Sequence, residues 1–202
     1  MIRVLCTDIS AADEQIYKRL YEKATEERRR RADRYLRQED KLRCVTADAL
    51  LRYALGTSDY RIEKNEFGKP YVKNRRDFYY NLSHSGKYVV IAFGDTEVGV
   101  DIQEHLADTD IRAIAERFFS EAERRYIGED AAQRTARFYE IWTGKESYLK
   151  YLGRGLHTDM RTVDVSVWQR EIRLLHPEKG YSLSLCTAAR DYTFALSDIR
   201  QL

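Results

Sequence analysis

The chain has few of the residues that interrupt or cross-link a fold. Among 202 residues there are only two prolines, ten glycines and three cysteines. So little proline and glycine leaves no room for a long flexible linker, and this predicts a compact chain. Cys6, Cys44 and Cys186 are odd in number, far apart and outside any CxxC pattern. They argue against a disulfide framework or a zinc knuckle and favour reduced, structural thiols.

Long apolar runs are also missing. Nowhere do about eighteen apolar residues follow one another, as a membrane-spanning helix requires. The opening residues Met1 to Asp8 show no signal-peptide pattern. Hydrophobic residues make up 43% of the chain, which is enough for a real core. We therefore expect a chain that folds alone, in the cytoplasm and off the membrane. The absence of a GxxxxGK[ST] motif argues against a P-loop enzyme.

The charge is nearly balanced overall but is uneven along the chain. The net charge is only +2, yet one ten-residue stretch carries six arginines against the single acid Asp33. Those arginines are Arg28, Arg29, Arg30, Arg31, Arg34 and Arg37. Such a run attracts anions. A solvated helix face, offset by neighbouring acids, is the alternative interpretation and stays open from the residues alone.

Hydrophobic periodicity predicts helices and strands in both halves of the chain, with a boundary near His105. In the first half we expect a strand at 3–7, helices up to Gly56, and strands near 62, 71–72, 78–82, 88–93 and 97–102. Gly94-Asp95 predicts a hairpin between the last two strands. In the second half we expect helices up to 151 and strands at 163–167, 172–175, 181–186 and 192–196. This pattern predicts the α+β class.

Two segments combine side chains suited to a metal-bound phosphate. Val98, Val100 and Ile102 alternate with polar positions, so a strand would bury them and turn Asp101 to its other face. Glu146 and Lys150 follow Trp142 at intervals of four, which aligns all three on one stripe of a helix. If that stripe faces the strand, one hard cation can lie between Asp101, Glu146 and a diphosphate, with Lys150 beside it. An ordinary helix-stabilising Glu–Lys pair is the alternative.

Two shorter motifs are weaker signals. Phe67-Gly68-Lys69-Pro70-Tyr71 places a lysine in a glycine–proline turn, where it can reach a phosphate or a ring. The alternative is a plain turn with a solvated lysine. Asn81-Leu82-Ser83-His84-Ser85-Gly86 follows a strand and gathers donors suited to phosphate oxygens. A structural histidine is the alternative there.

Read in order, these motifs resemble the surfactin-synthetase-type 4'-phosphopantetheinyl transferases. The resemblance spans nearly the whole chain and is most specific in Gly99–Ile102 and Trp142–Lys150. It implies the 4'-phosphopantetheinyl transferase fold, a pseudo-dimer of two similar α+β subdomains at residues 1–104 and 105–202, in a monomer. It further implies that coenzyme A binds in the cleft between them. Its phosphopantetheine arm then passes, with Mg²⁺, to a serine of an acyl, peptidyl or aryl carrier protein, releasing adenosine 3',5'-bisphosphate.

The resemblance also implies roles for individual residues. Asp101 and Glu146 match magnesium ligands, and Lys150 matches the residue that holds the diphosphate and stabilises charge during transfer. Ser83 and His84 match the contacts to the 3'-phosphate. The remaining cofactor-binding positions are Arg28, Arg31 and Arg43 at the same phosphate, and Lys69 and Pro70 at the adenine nucleotide.

One position departs from the family pattern. Gln103 stands where the family often has glutamate, and its amide can coordinate a metal only weakly or hold a ligand water. We therefore predict weaker magnesium affinity than a glutamate would give.

Two other functions remain open at this point. The arginine run and fifteen tyrosines suit a nucleic-acid-binding module, which would leave the paired acids unexplained. A coenzyme A sensor without catalysis would fit Gln103. We expect no nucleic-acid partner.

Overall fold

The computed structural model describes residues 1–128, 130–154, 158–163, 165 and 171–202. The strands are β1 (Ile2–Asp8), β2 (Ile62–Lys64), β3 (Pro70–Val72), β4 (Tyr79–Ser85), β5 (Tyr88–Gly94), β6 (Gly99–Glu104), β7 (Ile172–Leu175), β8 (Tyr181–Cys186) and β9 (Tyr192–Asp198). The helices are α1 (Glu14–Lys23), α2 (Glu26–Asp33), α3 (Gln38–Leu55), α4 (Ile111–Phe118), α5 (Glu121–Gly128) and α6 (Arg134–Leu152). The predicted α+β class is confirmed.

Local sequence explains where the main helices begin and end. Asp13 caps α1 by accepting a hydrogen bond from the Ile16 amide at 2.8 Å. Thr25 caps α2 in the same way, through the Arg28 amide at 3.3 Å. Both long helices end at a glycine in the left-handed region, with φ of +68° at Gly56 and +64° at Gly153.

The first sheet has the order β4-β5-β1-β9, in which β1 and β9 are parallel and the other pairs antiparallel. β5 is central and is buried on both faces. Val89, Ile91 and Phe93 pack into the core formed with α1 and α3. Val90 and Ala92 alternate with them and pack towards the second sheet. The strand's continuous apolar run therefore reflects burial on both sides.

The second sheet has the order β6-β8-β7 and is antiparallel throughout. Val100 and Ile102 of β6 face the first sheet with Leu183 and Leu185 of β8. The opposite face of this sheet lies against α6, where Thr143 and Ser184 share a hydrogen bond of 2.7 Å. The result is four layers: α1 and α3, the first sheet, the second sheet, and α6.

Side chains join the edges of the two sheets. On β4, Asn81, Ser83 and Ser85 accept hydrogen bonds from the amides of Val100, Ile102 and Glu104 on β6, at 2.9, 3.4 and 3.0 Å. Every second residue of one strand thus meets every second amide of the other. These three side chain–backbone hydrogen bonds fix the register of β6 against β4.

The prediction of a hairpin at Gly94-Asp95, between β5 and β6, is wrong. β5 and β6 lie in different sheets, because both edges of β5 are already paired, with β4 and β1. The hairpin turn lies instead between β4 and β5 at Gly86, whose φ is +51°.

The last strand crosses the boundary predicted at residue 104. β9 comes from the second half of the chain but pairs along its whole length with β1 of the first sheet. The division into residues 1–104 and 105–202 stays a prediction.

Three smaller expectations can be compared with the structure. Cys6, Cys44 and Cys186 are free and buried, and burial raises the pKa of Cys6 and of Cys186 to about 12. Within the described residues, no helix combines the length and the apolar character needed to cross a bilayer. Most of the strand predicted at 163–167 lies outside the described residues.

Candidate functional site

Asp101 lies at the centre of the candidate site and is only 2% exposed. Its Oδ1 accepts hydrogen bonds from the Lys150 ammonium at 2.6 Å and the Ser83 hydroxyl at 2.7 Å. Lys150 also donates to Ser83 Oγ and to the carbonyl of Val100, each at 3.2 Å. The strand and the helix therefore face each other as their periodicities predicted.

Glu146 lies one helical turn before Lys150 and faces the same cleft. Burial, and then the negative charge of Asp101, raises the pKa of Glu146, while Lys150 opposes the shift. Among the described residues, none donates a hydrogen bond to its carboxylate. Glu146 is thus a half-buried acid close enough to Asp101 for the two carboxylates to repel each other.

Gln103 completes the polar face of β6. Its Nε2 donates to Asp101 Oδ2 at 3.4 Å, and its Oε1 accepts from the Ser85 hydroxyl at the same distance. Glu104, the next residue, does not take the place of the glutamate that the family often has at position 103. Glu104 projects to the other side of the strand, beside Gly86 and the hydroxyl of Tyr181.

Two features hold α6 close to β6. Gly99 allows the contact, because a Cβ there would lie 2.0 Å from the carbonyl oxygen of Ser147. Lys145 anchors the far side of the helix through a fully buried ion pair of 2.8 Å with Glu123. Its ammonium also donates to the carbonyls of Met160 and Val163. The helix face carrying Glu146 is therefore set by packing on two sides.

A basic cavity of about 360 Å³ lies in the first half of the chain. Its lining includes four nitrogen-bearing side chains that the sequence had singled out: Arg28, Arg31, Arg43 and His84. Arg28 and Arg31 project from α2 one turn apart, so one stripe of the arginine-rich helix faces the cavity. The cavity therefore suits an anion.

The surroundings of His84 favour its neutral form. The pKa of His84 is lowered mainly by partial desolvation and, to a smaller extent, by the positive charges of Arg43, Lys150 and Arg31. The negative charge of Asp40 acts in the opposite direction. Arg43 is held in place by hydrogen bonds of 2.6 Å to the Gly86 carbonyl and 2.7 Å to Asp40. A neutral imidazole can still donate a hydrogen bond to a phosphate oxygen.

A second cavity of about 320 Å³ adjoins the first and contains the catalytic candidates Glu146 and Lys150. The two cavities share Gly68, Pro70 and Leu82 as lining residues. A single elongated ligand can therefore lie with one end among the arginines and the other beside α6.

A larger cavity elsewhere fits this chemistry poorly. It has a volume of about 490 Å³ and lies among α5, α6 and β7, with Ile141, Ile172 and Leu174 in its lining. The lining is mainly apolar and contains neither Glu146 nor Lys150. It does not suit a polyanion.

Lys69 and Pro70 both line the second cavity, as expected for residues beside a ligand. The Lys69 ammonium, however, is directed away to Glu97 and to the carbonyls of Val98 and Tyr151. The predicted contact between Lys69 and a nucleotide stays a prediction.

Asp48 was missed by the sequence reasoning. It is 1% exposed on α3 and accepts from Arg52 at 3.0 Å and from the Tyr60 hydroxyl at 2.8 Å. Its Oδ1 also lies 3.8 Å from Nε of Arg28, so it helps to hold that arginine in the basic cavity. An acid among Ala47, Ala49 and Leu50 was the available signal, because a buried carboxylate needs cationic or hydrogen-bonding partners.

Comparison with known proteins agrees with this geometry. Residues 97–197 match the family described as "4'-phosphopantetheinyl transferase superfamily". Residues 11–96 match the family described as "4'-phosphopantetheinyl transferase, N-terminal". The 4'-phosphopantetheinyl transferase Sfp of Bacillus subtilis (strain 168) is 30% identical over 82% of this chain and 83% of its own length. The chain belongs to the 4'-phosphopantetheinyl transferases.

Other relatives of this transferase cover the chain to a similar extent. The 4'-phosphopantetheinyl transferase ffp of Bacillus subtilis is 31% identical over 86% of both chains. The 4'-phosphopantetheinyl transferase gsp of Aneurinibacillus migulanus is 29% identical over 93% of this chain and 86% of its own. The matches therefore include both halves of the cleft.

Proposed function

We propose that this transferase moves the 4'-phosphopantetheine arm of coenzyme A to a serine of an acyl, peptidyl or aryl carrier protein. The observation that carries the proposal is the convergence of Asp101, Glu146 and Lys150 beside a basic cavity. Coenzyme A carries a diphosphate and a separate 3'-phosphate, which match these two charged regions. The comparisons support neither a nucleic-acid-binding module nor a coenzyme A sensor.

The two cavities suggest how coenzyme A is oriented. Arg28, Arg31 and Arg43, with His84, would bind the 3'-phosphate, since arginine forms short, charge-assisted hydrogen bonds to phosphate. Ser83 does not line this cavity, and its hydroxyl donates to Asp101, so its contact with the same phosphate stays a prediction. The hairpin at Lys69 and Pro70 would border the adenine nucleotide. The Lys150 side chain is 29% exposed, and its ammonium would reach the diphosphate by exchanging one of its hydrogen bonds to Ser83 or the Val100 carbonyl, both 3.2 Å long, for a phosphate oxygen.

The donor set suits Mg²⁺. Among the described residues, no group of three or more His, Cys, Asp or Glu side chains is arranged to hold a metal ion. Magnesium, however, is commonly held by one or two carboxylates together with substrate phosphates and water. Asp101 and Glu146, with Gln103 beside them, would hold it, and when bound it would neutralise charge on the diphosphate.

The reaction requires positioning and one proton acceptor. The serine oxygen forms a bond to the phosphorus on the pantetheine side, and the bond from that phosphorus to adenosine 3',5'-bisphosphate breaks. Lys150 stabilises the negative charge that develops. Glu146 would accept the serine proton directly or through water.

Both halves of the cleft come from one chain, which supports a monomer as the working form. The carriers we propose serve fatty acid, polyketide or nonribosomal peptide synthesis. The cytoplasmic location stays a prediction.

The test is to incubate the protein with coenzyme A, Mg²⁺ and several apo carriers, and to measure the intact mass of each carrier. We expect a gain of one phosphopantetheine that is lost with a Ser→Ala carrier. Glu146→Gln and Lys150→Ala should abolish turnover while the circular dichroism spectrum is unchanged. Glu140→Gln, on the same helix but away from the cleft, is the matched control. No gain on any carrier would contradict the proposal.

Gln103→Glu tests the metal site separately. The added charge should strengthen Mn²⁺ or Mg²⁺ binding, measured by calorimetry in the presence of coenzyme A, and lower the magnesium concentration needed for half-maximal rate. An unchanged or higher requirement would refute the charge argument.

A further inference from the structure

The loop between β2 and β3, residues 65–69, lies against the end of α6. Asn65 Nδ2 donates to the carbonyl of Gly153 at 2.9 Å, and the Lys69 ammonium donates to the carbonyl of Tyr151 at 3.0 Å. The last carbonyls of a helix lack partners within the helix. This hairpin loop therefore caps α6 from a distant part of the chain.

Lys69 also connects the loop to the segment that leads into β6. Its ammonium donates to Glu97 Oε2 at 2.6 Å and to the carbonyl of Val98 at 3.3 Å. With Tyr151, these acceptors account for all three protons of the ammonium group. The side chain is only 13% exposed, and a cation at a helix C-terminus is favourable. One lysine thus joins the hairpin, α6 and the start of β6.

Hydrogen bonds within the loop support its conformation. Asn65 Oδ1 accepts from the amides of Phe67 and Lys69, at 3.0 and 2.8 Å. The fit against α6 is close, because a Cβ on Gly153 would lie 2.7 Å from Cδ of Lys69. A shift of the loop would therefore be transmitted to the helix.

We propose that Asn65 and Lys69 are positioning residues that fix the end of α6, and with it Lys150 and Glu146, relative to β6. The inference rests on the proposed function for its kinetic consequence. Gly68 of this loop and Pro70, the first residue of β3, line both ligand cavities. The loop therefore links the ligand to the catalytic helix through the backbone, while the Lys69 ammonium serves the helix and not a phosphate.

The decisive variant is Lys69→Met, which keeps the apolar stem against Gly153 and removes the ammonium. Amide hydrogen exchange at residues 149–153 of the ligand-free protein should become about tenfold faster or more, since charge-assisted hydrogen bonds at the helix end are lost. The kcat for carrier modification should fall about tenfold, with the Kd for coenzyme A changed less than about threefold.

Lys73→Met is the matched control. Lys73 follows the same hairpin, pairs with Glu63 at 2.6 Å and is 45% exposed. Exchange in α6 and kcat should both be unchanged in this variant. Faster α6 exchange in Lys73→Met as well would overturn the specific assignment to Lys69.

Asn65→Asp gives an independent second test, because it keeps the acceptor that orders the loop and removes the donor to Gly153. It should reproduce the faster exchange at residues 149–153. If Lys69→Met instead weakens coenzyme A binding tenfold or more with exchange unchanged, Lys69 contacts the ligand and the proposal is overturned. The exchange measurement needs no turnover, so it decides the role of the loop even if carrier transfer is not observed.

Discussion

Replacing Lys145 with methionine should destabilise the protein severely. Lys145 is 0% exposed and Glu123 is 1% exposed, and their 2.8 Å ion pair is closed off from water. Methionine keeps most of the apolar stem but leaves the Glu123 carboxylate without its cation. Removing one member of a buried pair costs about 3–5 kcal/mol. The orphaned carbonyls of Met160 and Val163 act in the same direction.

Urea denaturation measures this effect directly. We expect the free energy of unfolding to fall by about 3–5 kcal/mol with an unchanged slope, and the Tm to fall by roughly 6–20 °C for a chain of this size. Since domains are typically stable by about 5–15 kcal/mol, a folded baseline should remain measurable.

The double variant Lys145→Met/Glu123→Gln separates charge from packing. The amides of Ser120 and Val165 donate to different oxygens of Glu123, at 2.7 and 3.0 Å, so glutamine keeps an acceptor for only one of them but removes the unpaired buried charge. The double variant should therefore be more stable than the single one by more than about 1 kcal/mol. A single-variant loss below about 1 kcal/mol, or a double variant no more stable than the single, would refute the reasoning.

Three further changes follow from the same structure. Gly99→Ala should lower the free energy of unfolding by about 1–3 kcal/mol and reduce turnover, because its Cβ would lie 2.0 Å from the Ser147 carbonyl; an alanine variant as stable as the parent would contradict this. Asp48→Asn should raise the KM for coenzyme A more than it lowers kcat, since it loosens Arg28; equal effects on both parameters would argue against that link. The pKa of His84 is lowered from 6.5 in the folded state, so the unfolded state binds more protons. The contribution of His84 to the free energy of unfolding is therefore complete above pH 6.5 and is lost as the pH falls through the folded-state pKa. Urea denaturation at about pH 7.5 and 5.5 should therefore show a smaller loss of stability on acidification for His84→Gln than for the parent. The difference should be small because His84 is exposed. An identical loss in both proteins would show that another group is responsible.

Much of the fold could be predicted because local patterns agreed with the final structure. Gly56 ends α3 as expected, and the alternation of Val100 and Ile102 with Asp101 orients β6 correctly. The hairpin at Gly94 failed for a non-local reason. A glycine–aspartate pair favours a tight turn, but strand pairing depends on which edges are still free, and β1 had already taken that edge of β5.

The proximity of Asp101 to Glu146 and Lys150 could be predicted from the periodicity of one strand and one helix, while the roles of these residues stay predictions. Asp101, Glu146 and Lys150 meet because two regular elements each present one polar face. Asp48 could have been suspected as an acid in an apolar stretch, but its link to Arg28 is a tertiary contact. The orientation of the Lys69 ammonium depends on carbonyls from two other elements, and no local pattern encodes them.

The pairing of β9 with β1 also has a consequence for biosynthesis. Strand β1 is completed by residues about 190 positions later in the sequence. Until those residues emerge, one side of β1 exposes unpaired amides and carbonyls, a surface prone to intermolecular strand addition. Pairing of β1 with β9 requires closure of a loop of about 190 residues, so we expect this sheet to form slowly and only after β9 has been synthesised, rather than during synthesis of residues 1–104.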